Sequence, residues 1–240
     1  MRQPDRPQLA LASMIALTFV TGVVDAVGFL GLDRVFTGNM TGNIVILGMG
    51  VAGADELPVL GPAVALAGFT AGAFAAGWVL RDRPAGSPAS TWDLRVTVLL
   101  SVGAAVLLAL TVVAAVMENF GTHMQVVIAT AIAAVMGQQA MVARKLAVKD
   151  MTTVVVTSTL TSLAGETWVR GTSGAIVNRR FSAILVIFLG ALAGAALLQI
   201  HMAIPLGVAA AGTVVVVITG HLLLREKRVR RPDFAETNRS

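Results

Sequence analysis

A single acidic residue lies within the long apolar stretches of this chain, and it is the first candidate for chemistry. Asp25 falls in the apolar stretch 9–32. An Asp at the centre of a membrane helix costs about 2.5–3.5 kcal/mol on insertion scales, which favours a position facing protein or water. A carboxyl group there could take up and release a proton, as in a proton-coupled carrier. Alternatively, Asp25 could accept hydrogen bonds from the segment 37–43. Small and polar residues share its helical face and form a stripe that should face the bundle: Thr18, Thr21, Gly22, Asp25 and Gly28.

The densest polar cluster follows shortly afterwards, in the segment 37–43. It consists of Asn39, Thr41 and Asn43, separated by Gly38 and Gly42. Asn and Thr cap helices, so the cluster predicts a helix break followed by a short helix that starts near Ile44. The capped end would offer free amides and a positive dipole to a ligand. Equally, the same side chains could satisfy broken backbone with no ligand present.

A third polar group lies in the second half of the chain. Gln138 and Gln139 point in nearly opposite directions on a helix, so one should face the bundle centre and the other a neighbouring helix. Gln in a span more often bonds another helix than a substrate. Thr hydroxyls such as that of Thr153 often bond back to their own helix. The candidate substrate or ion pathway is therefore Asp25, Asn39, Thr41, Asn43, Gln138, Gln139, Thr157 and Thr159.

The sequence offers no enzymatic or metal site. It contains no Cys, which excludes thiolate nucleophiles and Cys-based zinc or iron–sulfur sites. The three His residues lie near the ends of apolar stretches without a carboxylate at ligand spacing. Hydrolase, metalloprotease and phosphate-loop motifs are missing, and paired carboxylates for an aspartyl protease are missing too. We therefore predict no catalytic residue, no metal and no cofactor.

The composition is that of a membrane protein. Of the 240 residues, 56% are hydrophobic and only 13% charged, whereas soluble domains carry roughly 25% charged residues. A helix needs about 20 apolar residues to cross a bilayer. Six stretches meet that requirement: about 9–32, 59–80, 95–117, 123–143, 181–201 and 204–224. Arg outnumbers Lys 15 to 3, which is typical of a GC-rich genome and favours a bacterial plasma membrane.

Two shorter apolar runs, 39–53 and 151–165, decide the topology. Six crossings place 17 of the 18 Lys and Arg residues inside and only Arg34 outside, whereas eight crossings divide them 11 to 7. The tendency of positive loops to stay cytoplasmic favours six crossings with both termini inside. The short runs would then be re-entrant or surface-lying segments. The basic loops are thus topology signals and not a nucleic acid site, and the residues 225–240 form a basic cytoplasmic tail.

The two halves of the chain share an ordered pattern. Each has a full span, a Thr-rich short run and a span with a Gly-xxx-Gly motif. Asp25-Ala26 matches Gln139-Ala140, and Thr37 and Thr41 match Thr153 and Thr157. Because each half crosses three times, the second half would enter the membrane the other way up. The motifs are Gly68-x-x-x-Gly72 and Gly190-x-x-x-Gly194, which favour close helix packing and could also form a dimer face.

The sequence resembles the YoaK-type family of uncharacterised bacterial membrane proteins, a domain of unknown function. The resemblance covers about 10–224 and implies a membrane location but no established activity. Ala140 and Ser158 depart from the family pattern, which shows Asn and Gly there. The residues that carry the resemblance are Gly22-x-x-Asp25-Ala26, Phe36 with Asn39 to Asn43, Gly137-x-Gln139, and Thr152-Thr153 with Thr157-x-Thr159.

Together these features predict an all-α polytopic membrane protein. We expect one membrane domain of about six transmembrane helices in two inverted three-helix repeats, about 9–117 and 123–224, each with a short re-entrant or broken helix. Its partners would be the lipid bilayer and a small solute, whose movement Asp25 would couple or gate. The alternative is a membrane scaffold or sensor that transports nothing and assembles through its Gly-xxx-Gly faces.

Overall fold

The computed structural model describes residues 6–54, 56–81, 92–117, 120–146, 160–161, 165 and 174–224. Every regular element in these ranges is helical, and a π-helical turn, Gly220–Leu224, extends the last helix. The helices are α1 (Arg6–Gly31), α2 (Met40–Val51), α3 (Leu60–Val79), α4 (Leu94–Val116), α5 (Thr122–Leu146), α6 (Gly174–Leu198) and α7 (Ala203–Thr219).

The predicted spans are confirmed by length and composition. All helices except α2 contain an apolar stretch long enough to cross a membrane. The 12 residues of α2 extend over about 18 Å, too short for a hydrocarbon core of roughly 30 Å. The first short run is therefore not a span. The second short run, 151–165, lies outside the described residues except for three positions.

The helices α1 and α5 form the centre of the bundle. In each of them, 61% of the apolar stretch is buried, compared with 22% in α3 and 11% in α6. The helices α4 and α7 are intermediate. Since α3 and α6 expose most of their apolar surface, their outer faces suit contact with lipid. Of the polar candidates, Asp25, Gln138 and Gln139 thus lie on the two helices that are best shielded from lipid.

Close glycine contacts join α3 to α5. A Cβ atom on Gly72 would collide with the Ala134 carbonyl, and one on Gly137 would collide with the Phe69 carbonyl. Gly68 likewise faces Thr130. Small residues let two helix backbones approach this closely, and the gain is van der Waals packing.

The pairing of α1 with α6 repeats this geometry. A Cβ atom on Gly190 would meet the Phe19 carbonyl, and one on Gly22 would meet the Ile187 carbonyl. In both helix pairs, each glycine faces the carbonyl of the residue three positions before the glycine on the other helix. By these contacts, Gly190 corresponds to Gly72. A simple alignment of the two Gly-xxx-Gly motifs would instead pair Gly190 with Gly68, one helical turn away. The two helix pairs therefore share one contact geometry, and the inverted repeat stays a prediction.

Contacts along the helices establish their relative directions. In α1 and α6, Phe19 meets Gly190 and Val23 meets Gly194, so these helices run parallel. The pair α3 and α5 is parallel for the same reason. One end of the bundle, which we call the α2 end, joins Val35, Gly61 and Val126. At the opposite end, Gly220 packs on the ring of Trp92.

A polar layer divides the apolar core. One cluster of buried side chains fills the α2 end and includes Val27, Val35 and Ile128. A second fills the opposite end and includes Met14 and Trp92. Buried polar side chains lie between them: Thr18, Thr21, Gln139 and Thr213. The three threonines donate to carbonyls of their own helices at 2.8–2.9 Å, so the unusual member of the layer is Gln139.

Candidate functional site

A re-entrant turn brings the backbone back into the bundle after α1. Asp33 and Arg34 have left-handed backbone angles, with φ of 59° and 56°, which reverse the chain. The extended segment 35–38 then runs back along α1. Its first residue faces Gly28, and Gly38 would place a Cβ atom 2.8 Å from Cγ2 of Thr21. The turn therefore descends beside about seven residues of α1, or roughly 10 Å.

Asp25 binds the tip of this turn. Its Oδ1 accepts hydrogen bonds from the backbone amides of Thr37 at 2.9 Å and Gly38 at 2.6 Å. The hydroxyl of Thr37 lies 3.4 Å from the same oxygen. Hydrogen bonds to an ionised acceptor are roughly twice as strong as neutral ones. The interaction foreseen as an alternative for Asp25 is therefore present, and it anchors the broken backbone to the central helix.

Asn43 clamps the turn from the other side. It is fully buried. Its Oδ1 accepts from the amide of Phe36 at 2.8 Å, and its Nδ2 donates to the Phe36 carbonyl at 2.6 Å. The Phe36 ring stacks on Phe29 of α1, with centroids 4.8 Å apart. Asn43 thus satisfies backbone groups that the break would leave unpaired at membrane depth.

The short helix begins earlier than the sequence predicted. It starts at Met40 and not near Ile44, because Asn39 is the capping residue and accepts from the amide of Gly42 at 3.2 Å. Asn39 and Thr41 are exposed. The N-terminus of α2 follows directly after the residues that bind Asp25, so its positive end lies deep in the bundle.

The two adjacent glutamines have different surroundings. Gln138 donates to the Leu99 carbonyl of α4, as expected for a residue that joins neighbouring helices. Gln139 is 2% exposed, and its Nε2 donates to the Leu17 carbonyl at 3.3 Å and to Oγ1 of Thr21 at 3.2 Å. Gln139 is therefore the glutamine that faces the bundle centre.

Contacts with Thr21 connect these groups into one cluster, which we call the central cluster: Thr21, Asp25, Gly38 and Gln139. Thr21 touches Gln139 through its hydroxyl and approaches the Cβ position of Gly38 through its methyl group. The oxygens of Asp25 lie 3.4 and 3.5 Å from that same Cβ position. Thr157 and Thr159, the remaining pathway candidates, lie outside the described residues.

The four packing glycines contact other helices of the same chain. Gly68 and Gly72 face α5, and Gly190 and Gly194 face α1. The packing role predicted for them agrees with these contacts. A dimer formed through the same faces would have to displace the central helices.

Sequence reasoning missed a polar contact at the opposite end. Nε1 of the buried Trp92 donates to Oγ1 of Thr97 at 2.8 Å, and Nδ1 of His221 lies 3.2 Å from the same oxygen. The separation of 124 positions between Thr97 and His221 explains why no local pattern revealed this contact. Within the described part of the chain, no group of three His, Cys, Asp or Glu could hold a metal ion.

Comparison with known proteins places the chain in a family. The family model described as a protein of unknown function (DUF1275) matches residues 13–219. The UPF0700 transmembrane protein YoaK of Bacillus subtilis (strain 168) is 32% identical over 154 residues. That match covers 64% of this chain and 64% of YoaK, so it spans less than two thirds of the relative. No solved structure matches. A family match across most of the chain, together with the six apolar helices, shows that this membrane protein belongs to the DUF1275 family.

Proposed function

We propose that this protein moves a small solute across a bacterial inner membrane, through the contact between α1 and α5. Asp25 would couple or gate that movement. The observation that carries the proposal is the central cluster, in which a carboxylate binds a re-entrant turn and a buried amide from α5 binds the neighbouring Thr21. Ionisable groups inside membranes are costly and usually functional. Transporters with inverted repeats bind substrates near the midplane, where interrupted helices meet.

The charge distribution supports cytoplasmic termini. At the opposite end lie Arg81, Arg95, Arg144 and Lys145, whereas Arg34 is the basic residue of the described α2 end. The guanidinium of Arg81 lies 4.9 Å from the ring centroid of Trp78. Trp and Arg are typical of the membrane interface. The opposite end would therefore face the cytoplasm and the α2 end the exterior.

The residues of the central cluster would contact the solute. The glycines would belong to the scaffold, and so would Gln138, which bonds α4 and not the central cluster. The exposed Asn39 and Thr41 would line the approach from the α2 end, and Thr157 and Thr159 would line the approach from the cytoplasm. The required partners are the bilayer and the solute. The proposal includes no enzymatic activity, no cofactor, no nucleic acid partner and no dimer.

A flux experiment with reconstituted protein tests the proposal. Proteoliposomes with an entrapped pH-sensitive dye are exposed to a panel of small ions, amines and neutral solutes across a pH gradient. Asp25→Asn keeps a carbonyl oxygen that can accept from the turn amides, so the fold should persist while pH-dependent flux is lost. Gln138→Met, which removes only the contact with α4, is the matched control and should keep most of the flux.

Two outcomes would count against this account. Undiminished pH-dependent flux in Asp25→Asn would remove Asp25 from the mechanism. Folded wild-type protein that passes no solute faster than empty liposomes would overturn transport, and stable co-purification with a partner protein would then favour a scaffold or sensor.

A further inference from the structure

The carbonyl oxygen of Gln139 has no donor among the described residues, although it is fully buried. Its orientation is fixed by its neighbours. The Thr21 hydroxyl donates its proton to the Leu17 carbonyl at 2.9 Å. The hydroxyl oxygen of Thr21 and the carbonyl oxygen of Leu17 can therefore only accept hydrogen bonds from Gln139. An amide flip would place oxygen against two acceptors. Oε1 therefore points away from them with free lone pairs.

The carboxylate of Asp25 interacts with backbone amides of the turn. The amides of Thr37 and Gly38 and the Thr37 hydroxyl meet Oδ1, and the amide of Asn39 also interacts with the carboxylate. Neither α1 beyond Arg6 nor α5 before Arg144 contains a Lys or Arg. The negative charge of Asp25 is thus balanced by amide dipoles and by no basic side chain of the central helices.

These acceptors occupy one patch of the bundle. Thr21 and Asp25 lie one turn apart on α1, so their Cβ atoms are about 5–6 Å apart. Gly38 fits between them because a larger residue would meet Cγ2 of Thr21 at 2.8 Å. The side chain of Gln139 reaches this patch from α5. The unpaired oxygen of Gln139 and the carboxylate of Asp25 thus belong to side chains that both adjoin Thr21, whose hydroxyl already donates to the Leu17 carbonyl.

We propose that the central cluster binds a monovalent cation, an alkali metal ion or ammonium, between Asp25 and Gln139. This inference deepens the proposed function by naming the class of its solute or coupling ion. The amides of Thr37 and Gly38 already bind Asp25, so an anion would meet the carboxylate and the carbonyl oxygen of Gln139. A neutral solute would leave the carboxylate without a counter-ion inside the membrane. One carboxylate matches one positive charge, whereas sites for divalent ions usually gather several carboxylates.

Thermal unfolding of the purified full-length chain in detergent tests for this site. The midpoint is measured in NaCl, KCl and NH4Cl, with choline chloride keeping the ionic strength equal. A ligand that binds only the folded state raises stability with the logarithm of its concentration. We expect at least one of the three cations to raise the midpoint. The three salts also distinguish a metal ion from ammonium.

Variants locate the binding site. Gln139→Met preserves the side-chain length without an acceptor, and we expect the affinity for the cation to fall about tenfold or more, which corresponds to losing one charge-assisted contact. Gln138→Met is the matched control and should keep the cation response. Asp25→Asn should abolish the response.

The proposal is overturned if no cation raises the midpoint of folded wild-type protein, or if the response survives unchanged in Gln139→Met. If Asp25→Asn fails to fold, Gln139→Met still decides the question. Binding without flux in proteoliposomes would overturn transport and leave the site intact. Flux of a neutral solute without a cation response would overturn the cation site and leave transport intact.

Discussion

Asn43 gives the sharpest prediction about the re-entrant turn. It is fully buried, and both of its polar atoms bond the backbone of Phe36, at 2.8 and 2.6 Å. Asn43→Ala would leave an amide and a carbonyl unpaired. Each buried unsatisfied group costs about 1–3 kcal/mol, so the free energy of unfolding should fall by about 2–6 kcal/mol.

The matched comparison is Asn39→Ala. Asn39 is exposed and supplies one capping bond of 3.2 Å, and loss of such a cap costs about 0.5–2 kcal/mol. Both variants can be measured by reversible unfolding with SDS in lipid bicelles, followed by tryptophan fluorescence. If Asn43→Ala costs no more than Asn39→Ala, the clamp does not hold the turn and our account of the break is wrong.

Three further predictions concern helix packing. Gly72→Ala should destabilise the protein by about 1–3 kcal/mol, because the added methyl group meets the Ala134 carbonyl. The control is Gly48→Ala, whose methyl group would enter open space. Equal free energies of unfolding for the two variants would exclude close packing at Gly72. Thr97→Val should cost about 1–3 kcal/mol by leaving Nε1 of Trp92 without its acceptor, and an unchanged unfolding energy together with unchanged tryptophan emission would contradict that contact. Gln138→Met should cost only about 0.6–1.7 kcal/mol, the range for one bond between membrane helices, and a much larger loss would show that Gln138 does more than join α4.

The sequence predicted the spans well because span length and hydropathy are local properties. All six apolar stretches correspond to helices of sufficient length, and loop charge correctly excluded the first short run as a crossing. The interaction of Asp25 with the segment 37–43 was one of two alternatives, since a lone carboxylate must find donors at membrane depth. Its partners lie only 12 and 13 residues away, within reach of local reasoning.

Other features depended on tertiary contacts that no local pattern encodes. The start of α2 was misplaced because several residues of the cluster can cap a helix, and only the observed bond to Gly42 selects Asn39. The packing of α5 against α1 determines which glutamine faces the bundle centre. The α1 residues that Gln139 contacts lie 118 and 122 positions before it in the sequence. The correspondence of Gly190 with Gly72 likewise depends on helix register. The pathway role of the cluster and the inverted orientation of the halves stay predictions.

Thiol labelling tests the central claim, a water-filled approach to the central cluster from outside the cell. The chain contains no Cys, so single Cys residues can replace Asn39, Thr41, Arg144 and Leu108 in otherwise unchanged protein. Leu108 is 47% exposed, lies near the middle of α4 and should face lipid. We predict that membrane-impermeant reagents label positions 39 and 41 only from outside and position 144 only from inside, and leave position 108 unlabelled. Failure to label 39 and 41, or labelling of both from the cytoplasm, would contradict the account.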